Sequence, residues 1–576
     1  MCGIIGIVNL EDTKSHEHAI RLLRDLEYRG YDSFGYISDD FEPHKYIGAI
    51  SKSNIEFEAS QSAHITIAHT RWATHGKVNL ANTHPHTSNH RSFAIVHNGV
   101  ISNAKGLRED LKAEGYTFYS DTDTEVIVNI IERAYLNNKS DSPESVIRSA
   151  MAHLDGEYAL AIIAKVWPDT LVCVKQESPL VLGISSEMCA VTSDEAALVN
   201  DFSECIHLED GDVAVIERTQ EGIRVSNITL DSLSPISKDT YVRSSLGEFP
   251  DYMSKEMAEI PNALQATLDS EICRIDPVER VLITGCGSAY YAAWIGHLFR
   301  RMSPLKPKDS LAYPADEAIH ALDMDVYDVI ITISQSGETY DTMQVLKKAT
   351  RKTVCVTNVR GSSMSRSATH PIFQNAGPEK CVLSTKSILS QCAILFRLFN
   401  EPRREHLISK LIDQWTSTFP IPKLTDLAHQ FGHIDHFFFI GRGVYVPVAM
   451  ENALKVKEVT YCHAEGMGAG FFKHGTLSLI DDRFVVFAHL PYPGDENDAE
   501  LHALTEANIS EIQARGGHVV RVGHTDDCDI RLPHVCSELN ALLHLGVGQH
   551  FAYQMAKLLG RDVDQPRSLA KSVTVR

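Results

Sequence analysis

Short apolar segments separated by Gly, Asn and Asp residues characterise the first part of the chain. Examples are Ala94–Val96, Tyr158–Ile163 and Asp212–Ile216. Apolar runs of this length between turn-forming residues are typical of buried β-strands. The pattern predicts a domain of short strands, loops and a few helices over residues 2–231.

Residues 232–255 are rich in Ser and poor in apolar side chains, which predicts a linker. Beyond them the chain alternates between apolar strands, polar turns and helices. Val281–Thr284 leads into a Gly-rich turn, and Asp328–Ile333 leads into Ser334–Thr339. This alternation is typical of α/β domains with parallel sheets.

A second pass along the chain repeats this layout. Gly441 ends a phenylalanine-rich strand 156 residues after Gly285, and Gly494 lies 157 residues after Gly337. Two turns with nearly equal offsets indicate a duplicated unit. The predicted α/β domains cover residues 256–405 and 425–560, followed by a tail over residues 561–576.

Composition and charge exclude several classes of protein. Of the 576 residues, 43% are hydrophobic and 22% charged, as in ordinary globular proteins. The net charge of −21 argues against a nucleic-acid partner, because binding phosphates requires an excess of Lys and Arg. No uninterrupted apolar run is long enough to span a membrane, and the N-terminus lacks the basic start of a signal peptide.

Twelve cysteines are scattered without a C-x-x-C pair or a Cys/His cluster at metal-ligand spacing. Neither a zinc or iron–sulfur site nor a disulfide framework is therefore expected. We expect a soluble, cytoplasmic, multidomain protein that uses no metal and no organic cofactor.

Cys2 becomes the first residue if Met1 is removed. A free α-amine is partly neutral at physiological pH, so it can accept the proton of a terminal thiol. Position alone is weak evidence for such a nucleophile, since many chains carry Cys at position two by chance. The motifs that follow Cys2 change this assessment.

Five short motifs occur in order after the N-terminus. They are Met1–Ile7, Tyr28–Ser33, His69–Gly76, His97–Gly99 and Thr122–Glu125. Together they resemble the class II glutamine amidotransferase domain, an N-terminal-nucleophile fold with an αββα arrangement. The resemblance implies that Cys2 attacks the side-chain amide of glutamine.

The resemblance also implies roles for other residues of these motifs. Arg71 and Asp123 would bind the carboxylate and ammonium of glutamine through charge-assisted hydrogen bonds. Asn98 and the Gly99 amide would form an oxyanion hole for the tetrahedral intermediate. Thr74 and His75 would line the glutamine pocket, and Trp72 would act as the gate for ammonia.

Ser334, Gln335, Ser336 and Thr339 lie between a predicted strand and the start of a helix. Hydroxyl groups and free amides at such a place can bind a phosphate without a basic residue. The segment resembles the phosphate loop of sugar isomerase (SIS) domains. The preceding glycine turn lacks the G-x-G-x-x-G spacing of a dinucleotide-binding fold.

In the second α/β copy, Glu451, Lys455 and Glu458 fall on one face of a predicted helix. Such spacing usually indicates a solvated stripe of ion pairs. Lys473–His474 and the tail Gln565–Val575 favour a catalytic role, because the tail resembles that of the glutamine–fructose-6-phosphate aminotransferase family. The implied fold is an amidotransferase domain followed by two SIS domains, each an α/β/α sandwich with a parallel sheet.

The family resemblance implies a mechanism for the second half. Lys571 would form a Schiff base with C2 of fructose 6-phosphate, Glu458 would move a proton between C1 and C2, and His474 of a neighbouring subunit would open the sugar ring. The remaining contacts to the sugar phosphate would come from residues in both copies and the tail: Ser288, Ser334, Gln335, Ser336, Thr339, Val382, Ser384, Glu451, Lys455 and Ala570. A homodimer with a shared site follows from this assignment.

Two departures from the family pattern leave alternatives open. Ala289 replaces a serine that usually contacts the sugar phosphate, and Phe471–Phe472 replaces the usual Glu-Leu. One alternative is a paralogue that aminates or deglycates another ketose phosphate. The other is a non-catalytic sensor of sugar phosphates, which would have no need of Cys2 and Lys571.

Overall fold

The computed structural model describes residues 2–11, 14–55, 62–72, 77–228, 233–236, 245–305 and 309–573. The chain divides into two compact units. Unit 1 comprises Met1–Val242 together with Ala570–Arg576, and unit 2 comprises Arg243–Leu569.

Unit 1 contains two antiparallel sheets. Its strands are β1 (Gly3–Asn9), β2 (Ser33–Ser38), β3 (His44–Ile47), β4 (Ile65–Arg71), β5 (His86–Thr87), β6 (Phe93–Ile101), β7 (Gly156–Ala164), β8 (Trp167–Gln176), β9 (Val181–Ile184), β10 (Met188–Thr192), β11 (Glu204–His207), β12 (Val213–Thr219), β13 (Gly222–Ser226) and β14 (Ser234–Pro235). The larger sheet has the order β14-β11-β9-β10-β1-β4-β2-β3, and the smaller has the order β13-β12-β8-β7-β6-β5.

The two sheets stack face to face between layers of helix. Alternate residues of β1 point to opposite sides: Ile4 and Val8 join the core between the sheets, whereas Ile5 and Ile7 pack with a helix. This confirms the predicted αββα arrangement. The α-helices are Ser15–Asp25 on the larger sheet and Ala104–Ala113, Thr124–Asn137 and Pro143–Met151 on the smaller one.

Unit 2 contains two five-stranded parallel sheets. The first sheet has the order β16-β15-β17-β18-β19 and the second β21-β20-β22-β23-β24. In each sheet the second strand along the chain lies at the edge, and the first strand lies between it and the third. The two halves therefore share a topology, which confirms the predicted duplication. Their strands are β15 (Val281–Gly285), β16 (Ser310–Pro314), β17 (Val329–Ser334), β18 (Lys352–Thr357), β19 (His370–Phe373), β20 (His436–Gly441), β21 (His463–Gly468), β22 (Phe484–His489), β23 (His518–Gly523) and β24 (Ile530–Arg531).

Helices cover both sheets of unit 2, as expected for parallel strands joined by crossover connections. Strands such as β17 are buried throughout, which explains their continuous apolar sequence. The α-helices are Tyr252–Ala258, Ile260–Leu268, Ser288–Met302, Ala315–Ala321, Tyr340–Lys348, Ser363–Ser367, Lys386–Phe399, His406–Thr418, Ile421–Gln430, Tyr445–Thr460, Ala469–Phe472, Glu496–Gln513 and Asn540–Leu558.

Two further findings bear on the sequence-based expectations. None of the twelve cysteines, all of which lie within the described residues, forms a disulfide. No helix within the described residues has the length and apolar character needed to cross a membrane.

Candidate active sites

Cys2 lies immediately before β1, where its thiol meets the end of β4. The Trp72 amide donates a hydrogen bond to the Cys2 sulfur at 3.2 Å, and the side chain of Cys2 is partly exposed. The thiol of Cys2, the predicted nucleophile, is therefore partly accessible and has the Trp72 backbone beside it.

The Asn98 side chain reaches the backbone of Cys2 from β6. Its Nδ2 donates to the Cys2 carbonyl oxygen at 2.8 Å, while its Oδ1 accepts from His69 Nε2 at 3.1 Å. The same His69 nitrogen contacts the His97 carbonyl oxygen at 3.0 Å, so it must carry the proton. This arrangement fixes which end of the Asn98 amide faces Cys2.

Burial keeps His69 neutral, because it lowers the pKa of the imidazole to about 3. A neutral imidazole with its proton on Nε2 is the state that the hydrogen bond to Asn98 requires. Sequence analysis missed this role of His69, although it lies in a recognised motif. No pattern in the sequence indicates which neighbour orients the Asn98 amide.

Gly99 follows Asn98 in a conformation that other residues rarely adopt, with φ of +132°. A Cβ atom at this position would lie 1.9 Å from the Glu157 carbonyl oxygen on β7. The absence of a side chain thus lets β6 and β7 pair next to Cys2 while the backbone turns. The Gly99 amide is the predicted second donor of the oxyanion hole.

Arg71 lies close enough to Cys2 and Asp123 to interact with both electrostatically. Arg71 ends β4, and burial lowers the pKa of its guanidinium, while the nearby Cys2, Asp32 and Asp123 raise it. Asp123 immediately precedes the helix Thr124–Asn137 and accepts a hydrogen bond from the Ile101 amide at 2.9 Å. Thr74 and His75, which were predicted to line the same pocket, lie outside the described residues.

Replacing Gly99 by Ala is expected to destabilise unit 1 by at least about 3 kcal/mol, because the new Cβ must push β7 away as well as adopt a strained φ. Gly115→Ala is the matched control: Gly115 also has a positive φ, of +95°, but a Cβ there meets nothing within 4 Å. This control should cost only about 1 kcal/mol. Calorimetric unfolding of both full-length variants measures the difference, and equal losses would contradict the steric argument.

The predicted phosphate loop begins at the carboxyl end of β17. The Ser334 hydroxyl contacts the Thr339 hydroxyl at 2.9 Å and accepts a hydrogen bond from the Gly337 amide at 3.0 Å. The Ser336 hydroxyl accepts from the Glu338 amide at 3.2 Å. The loop is therefore closed on itself before the helix Tyr340–Lys348 begins, and its hydroxyls converge at the amino end of that helix.

Gly337 allows this tight loop to form. Its φ is +68°, and a Cβ would lie 2.1 Å from the Ser362 hydroxyl oxygen. Gln335 is held through its backbone, because its carbonyl oxygen accepts a hydrogen bond from the Asn358 amide at 3.0 Å. Loop and helix together form the kind of donor-rich end that binds an anion.

A buried group of charges lies on the helix Tyr445–Thr460, as the spacing predicted. Lys455 Nζ is 2.7 Å from Glu458 Oε2 and 3.3 Å from Glu451 Oε1. Glu451 and Lys455 are completely buried, and Glu458 is partly exposed. The stripe is therefore not a solvated surface pattern but an interior charge cluster.

Ser288 joins this cluster from the first α/β half. Its hydroxyl donates to Glu451 Oε1 at 2.9 Å and accepts from Lys455 Nζ at 3.1 Å. Ser288 begins the helix Ser288–Met302, directly after β15. This contact between the two halves of unit 2 lies at the carboxyl end of a parallel strand, where ligands bind in α/β folds.

The charges in this cluster shift one another's protonation. Burial raises the pKa of Glu451 to about 7, although Lys455 opposes the shift. Burial disfavours the charged form of Lys455, but Glu451 and Glu458 outweigh it and raise its pKa. A carboxyl group that titrates near neutral pH beside a permanent ammonium can exchange a proton during catalysis.

Two other predicted sugar contacts, Val382 and Ser384, lie in the segment before the helix Lys386–Phe399. The Ser384 hydroxyl contacts Ser387 at 2.7 Å, just before the helix Lys386–Phe399. Val382 is largely buried, and its amide donates to the Asp564 carbonyl oxygen at 3.1 Å. The latter bond attaches the C-terminal tail to the first α/β half.

The tail also contacts the end of the helix that carries the charges. The Arg567 amide donates to Tyr461 Oη at 2.9 Å, and the Arg567 guanidinium lies 4.2 Å from the centre of the Tyr461 ring. Tyr461 ends the helix in a left-handed conformation with φ of +65°. Ala570 and Lys571 follow and belong to unit 1, where both are partly buried.

His474 is exposed, on the segment after the helix Ala469–Phe472. Its ring lies 6.4 Å from that of Phe471, which is 69% exposed. Within the described residues, the His474 side chain makes no hydrogen bond to Glu451, Lys455 or Glu458. The chain alone therefore does not bring His474 into the charge cluster.

A histidine chain that sequence analysis missed supports the helix behind the cluster. Asn452 Nδ2 contacts His489 Nε2 at 3.2 Å, and His489 Nδ1 contacts His544 Nδ1 at 2.9 Å. His544 Nε2 contacts His524 Nε2 at 3.1 Å. Burial keeps the chain neutral and lowers the pKa of His489 to about 3. These residues are far apart in sequence, so only the fold reveals their contact.

The protonation of Glu451 leads to a spectroscopic prediction. In the wild-type protein a carboxylic-acid C=O band should grow as pH falls through about 7, because burial holds this group neutral below that value. The band should be missing in Glu451→Gln. Infrared difference spectra measure it, with Glu465→Gln as control, since Glu465 is exposed and paired with His463. A band that persists in Glu451→Gln would contradict the assignment.

Comparisons with known proteins agree with the two-part architecture. The profile of the glutamine amidotransferase domain matches residues 69–200, and that of the SIS domain matches residues 275–400 and 431–525. The solved C-terminal domain of glucosamine-fructose-6-phosphate aminotransferase from Francisella tularensis superposes with a TM-score of 0.51 at 26% identity. The match spans 56% of this chain and 100% of the solved domain.

Curated relatives match the chain from end to end. Proteins named glutamine–fructose-6-phosphate aminotransferase (isomerizing) from Thermotoga maritima and Methanothermobacter thermautotrophicus are each 34% identical to it, over 628 and 602 aligned positions. In both cases the whole of each chain is covered. The chain therefore belongs to the glutamine–fructose-6-phosphate aminotransferase family.

Proposed function

We propose that the chain transfers the amide nitrogen of glutamine to fructose 6-phosphate and releases glucosamine 6-phosphate and glutamate. The observation that carries this proposal is the buried cluster of Glu451, Lys455 and Glu458 in contact with Ser288. Such a cluster offers proton donors and acceptors. Its Ser288 follows β15, which pairs in parallel with β17, the strand that ends at the hydroxyl loop Ser334–Thr339, so both lie at the same edge of the sheet. A sensor that only bound a sugar phosphate would have no use for it.

In the first reaction, Cys2 acts as the nucleophile toward glutamine. After removal of Met1, its α-amine takes the thiol proton, and the sulfur attacks the side-chain carbonyl carbon. The Asn98 side chain and the Gly99 amide stabilise the negative oxygen that develops. Arg71 and Asp123 hold the two ends of glutamine, with Thr74 and His75 completing the pocket.

The tetrahedral intermediate collapses to a thioester and expels ammonia, which takes back the proton held by the α-amine and passes Trp72. Water then hydrolyses the thioester and releases glutamate. The hydrogen bond from the Trp72 amide to the Cys2 sulfur supports this role of Trp72, because a movement of the Trp72 backbone would change or break that bond. Transfer away from bulk water keeps ammonia in the neutral form, which is the nucleophilic one.

In the second reaction, Lys571 condenses with C2 of the open-chain ketose and water leaves. Ammonia replaces the lysine amine, and Glu458 then moves a proton from C1 to C2, converting the ketose skeleton into an aldose. Glu451 and Lys455 assist the proton transfers. Binding of the sugar phosphate is assigned to Ser288, Ser334, Gln335, Ser336, Thr339, Val382, Ser384 and backbone at Ala570.

A homodimer working in the cytoplasm completes the proposal. His474 is exposed beside Phe471, itself an exposed large apolar side chain, which favours burial of this segment against a second copy. There His474 would open the sugar ring as an acid–base group. The twelve cysteines, including the proposed nucleophile, form no disulfide within the described residues, which suits a reducing compartment.

The two half-reactions should separate by mutation. Cys2→Ala is expected to abolish glutamine use but retain synthesis from added ammonia, because the sugar site is untouched. Lys571→Ala should abolish synthesis from either nitrogen source while glutamine hydrolysis continues. Product analysis by NMR, with several ketose phosphates offered, measures both. Glutamine-dependent synthesis by Cys2→Ala, or synthesis by Lys571→Ala, would contradict the assignments.

The shared site can be tested by mixing inactive subunits. Refolded mixtures of His474→Ala and Lys571→Ala should regain up to about a quarter of wild-type synthesis, because half of the dimers are mixed and each mixed dimer holds one intact site. The mixture of His463→Ala with Lys571→Ala is the reference: His463 lies outside the assigned site, so its variant is active alone and this mixture should give about half of wild-type synthesis. No recovery in the His474 mixture would place His474 and Lys571 in sites of the same subunit.

A further inference from the structure

Three side chains in unit 1 that take no part in the proposed reactions converge at one edge of the larger sheet. Cys205 and His207 lie two residues apart on β11 and so project from the same face of the strand. Glu195 begins the short 3₁₀ helix Glu195–Leu198. Their ligand atoms all lie within 4.8 Å of one another.

The separations between these atoms are distinctive. His207 Nε2 is 3.4 Å from Glu195 Oε2 and 3.8 Å from Cys205 Sγ. Cys205 Sγ is 3.9 Å from Glu195 Oε2. The Cys205 sulfur is within hydrogen-bond range of both other side chains, and His207 and Glu195 form an ion pair, so the three ligand atoms converge on one point.

The His207–Glu195 separation of 3.4 Å equals that of two ligands on one metal ion, and the two sulfur separations exceed the corresponding value by only about 0.2–0.3 Å. Zinc bonds of about 2.3 Å to sulfur and about 2.0–2.1 Å to nitrogen and oxygen, at tetrahedral angles, hold the ligands about 3.3–3.6 Å apart. Thiolate, imidazole and carboxylate are also the three ligand types that zinc takes in proteins. We propose that Glu195, Cys205 and His207 bind a zinc ion.

Burial of the three residues fits a zinc site with one open position. Cys205 is completely buried, whereas the side chains of His207 and Glu195 are 16% and 14% exposed. The exposed side gives the ion a way in and leaves a place for a water as fourth ligand. On binding, the Cys205 thiol gives its proton to solvent and its sulfur bonds the ion, with no change of oxidation state.

Both elements that carry the ligands are held firmly. β11 pairs with β9 on one side and β14 on the other. The 3₁₀ helix is capped by Asp194, whose Oδ1 accepts from the Ala196 amide at 3.0 Å and whose Oδ2 accepts from Arg29 at 2.7 Å. The ligands thus need little rearrangement to bind an ion.

The site is also connected to the nucleophile. Ser193, two residues before Glu195, accepts a hydrogen bond from the Ile4 amide at 3.1 Å and contacts the Cys2 carbonyl oxygen at 3.5 Å. A bound ion would tie the segment Ser193–Glu195 to β11. The zinc site is accordingly assigned a structural role, fixing the backbone on which Cys2 depends.

Sequence analysis did not detect this site. The C-x-H spacing on a strand differs from the C-x-x-C pairs typical of zinc motifs, and Glu195 lies ten residues before Cys205. The three are adjacent only because the 3₁₀ helix returns the chain to the edge of β11.

Metal titration of the full-length protein tests the proposal. Metal-free wild-type protein should bind one Co²⁺ per chain with the intense visible bands of tetrahedral cobalt and a thiolate-to-cobalt charge-transfer band, and Zn²⁺ should displace it. Zn²⁺ should also raise the unfolding temperature, because it binds only the folded state. Cys205→Ser and His207→Gln should lose the charge-transfer and tetrahedral bands respectively, and Glu195→Gln should weaken binding by at least about tenfold.

Matched controls separate this site from other thiols and imidazoles. Cys273→Ser and His153→Gln remove the same groups at positions outside the cluster and should bind Co²⁺ as the wild type does. Cys205 is buried, so its variant could lose binding by failing to fold. Glu195 is partly exposed, so Glu195→Gln tests the site without that difficulty. Wild-type protein without a thiolate–cobalt band, or Cys205→Ser and Glu195→Gln with unchanged binding, would overturn the proposal.

Discussion

A buried ammonium between two carboxylates joins the two α/β halves of unit 2. Lys455 cannot lie in the interior without Glu451 and Glu458, since an unpaired buried charge costs several kcal/mol. Ser288 brings the first half into the same hydrogen-bonded group. The duplicated fold therefore yields one composite polar site from two similar halves, each contributing a different element.

The same need for a fixed polar group governs unit 1. Asn98 faces Cys2 with its Nδ2 because a neutral His69 donates to its Oδ1. Gly99 then follows in a conformation that no residue with a side chain could take against Glu157. The donors from Trp72 and Asn98 thus reach Cys2 in orientations that were set during folding, and under the proposed function this preorganisation would favour a developing oxyanion.

Much of this architecture could be predicted from the sequence, because it depends on local patterns. Apolar runs locate β15, β17, β20 and β22, and the nearly equal sequence offsets between corresponding glycine turns reveal the duplication. The helical spacing of Glu451, Lys455 and Glu458 also predicts that they share a face. The sequence did not reveal that this face is buried, because burial depends on the helix Asn540–Leu558 and on Ser288, which are distant in the chain.

Contacts between distant residues account for the rest of what was missed. The pairing of His69 with Asn98, the chain from Asn452 to His524, and the convergence of Glu195 with Cys205 each require the folded sheets. Local spacing carries no signal for them. The C-terminal tail could be predicted in part. Its motif is recognisable in the sequence, but its hydrogen bond from Arg567 to Tyr461 is not.

Isotope transfer tests the central claim, that one chain couples glutamine hydrolysis to amination of the ketose, most directly. The protein is incubated with fructose 6-phosphate and glutamine labelled with ¹⁵N in the side-chain amide, in the presence of excess unlabelled ammonium. We expect glucosamine 6-phosphate with ¹⁵N on C2, because ammonia passes between the sites without mixing with solvent. Unlabelled product, or release of labelled ammonium without an amino sugar, would contradict the account.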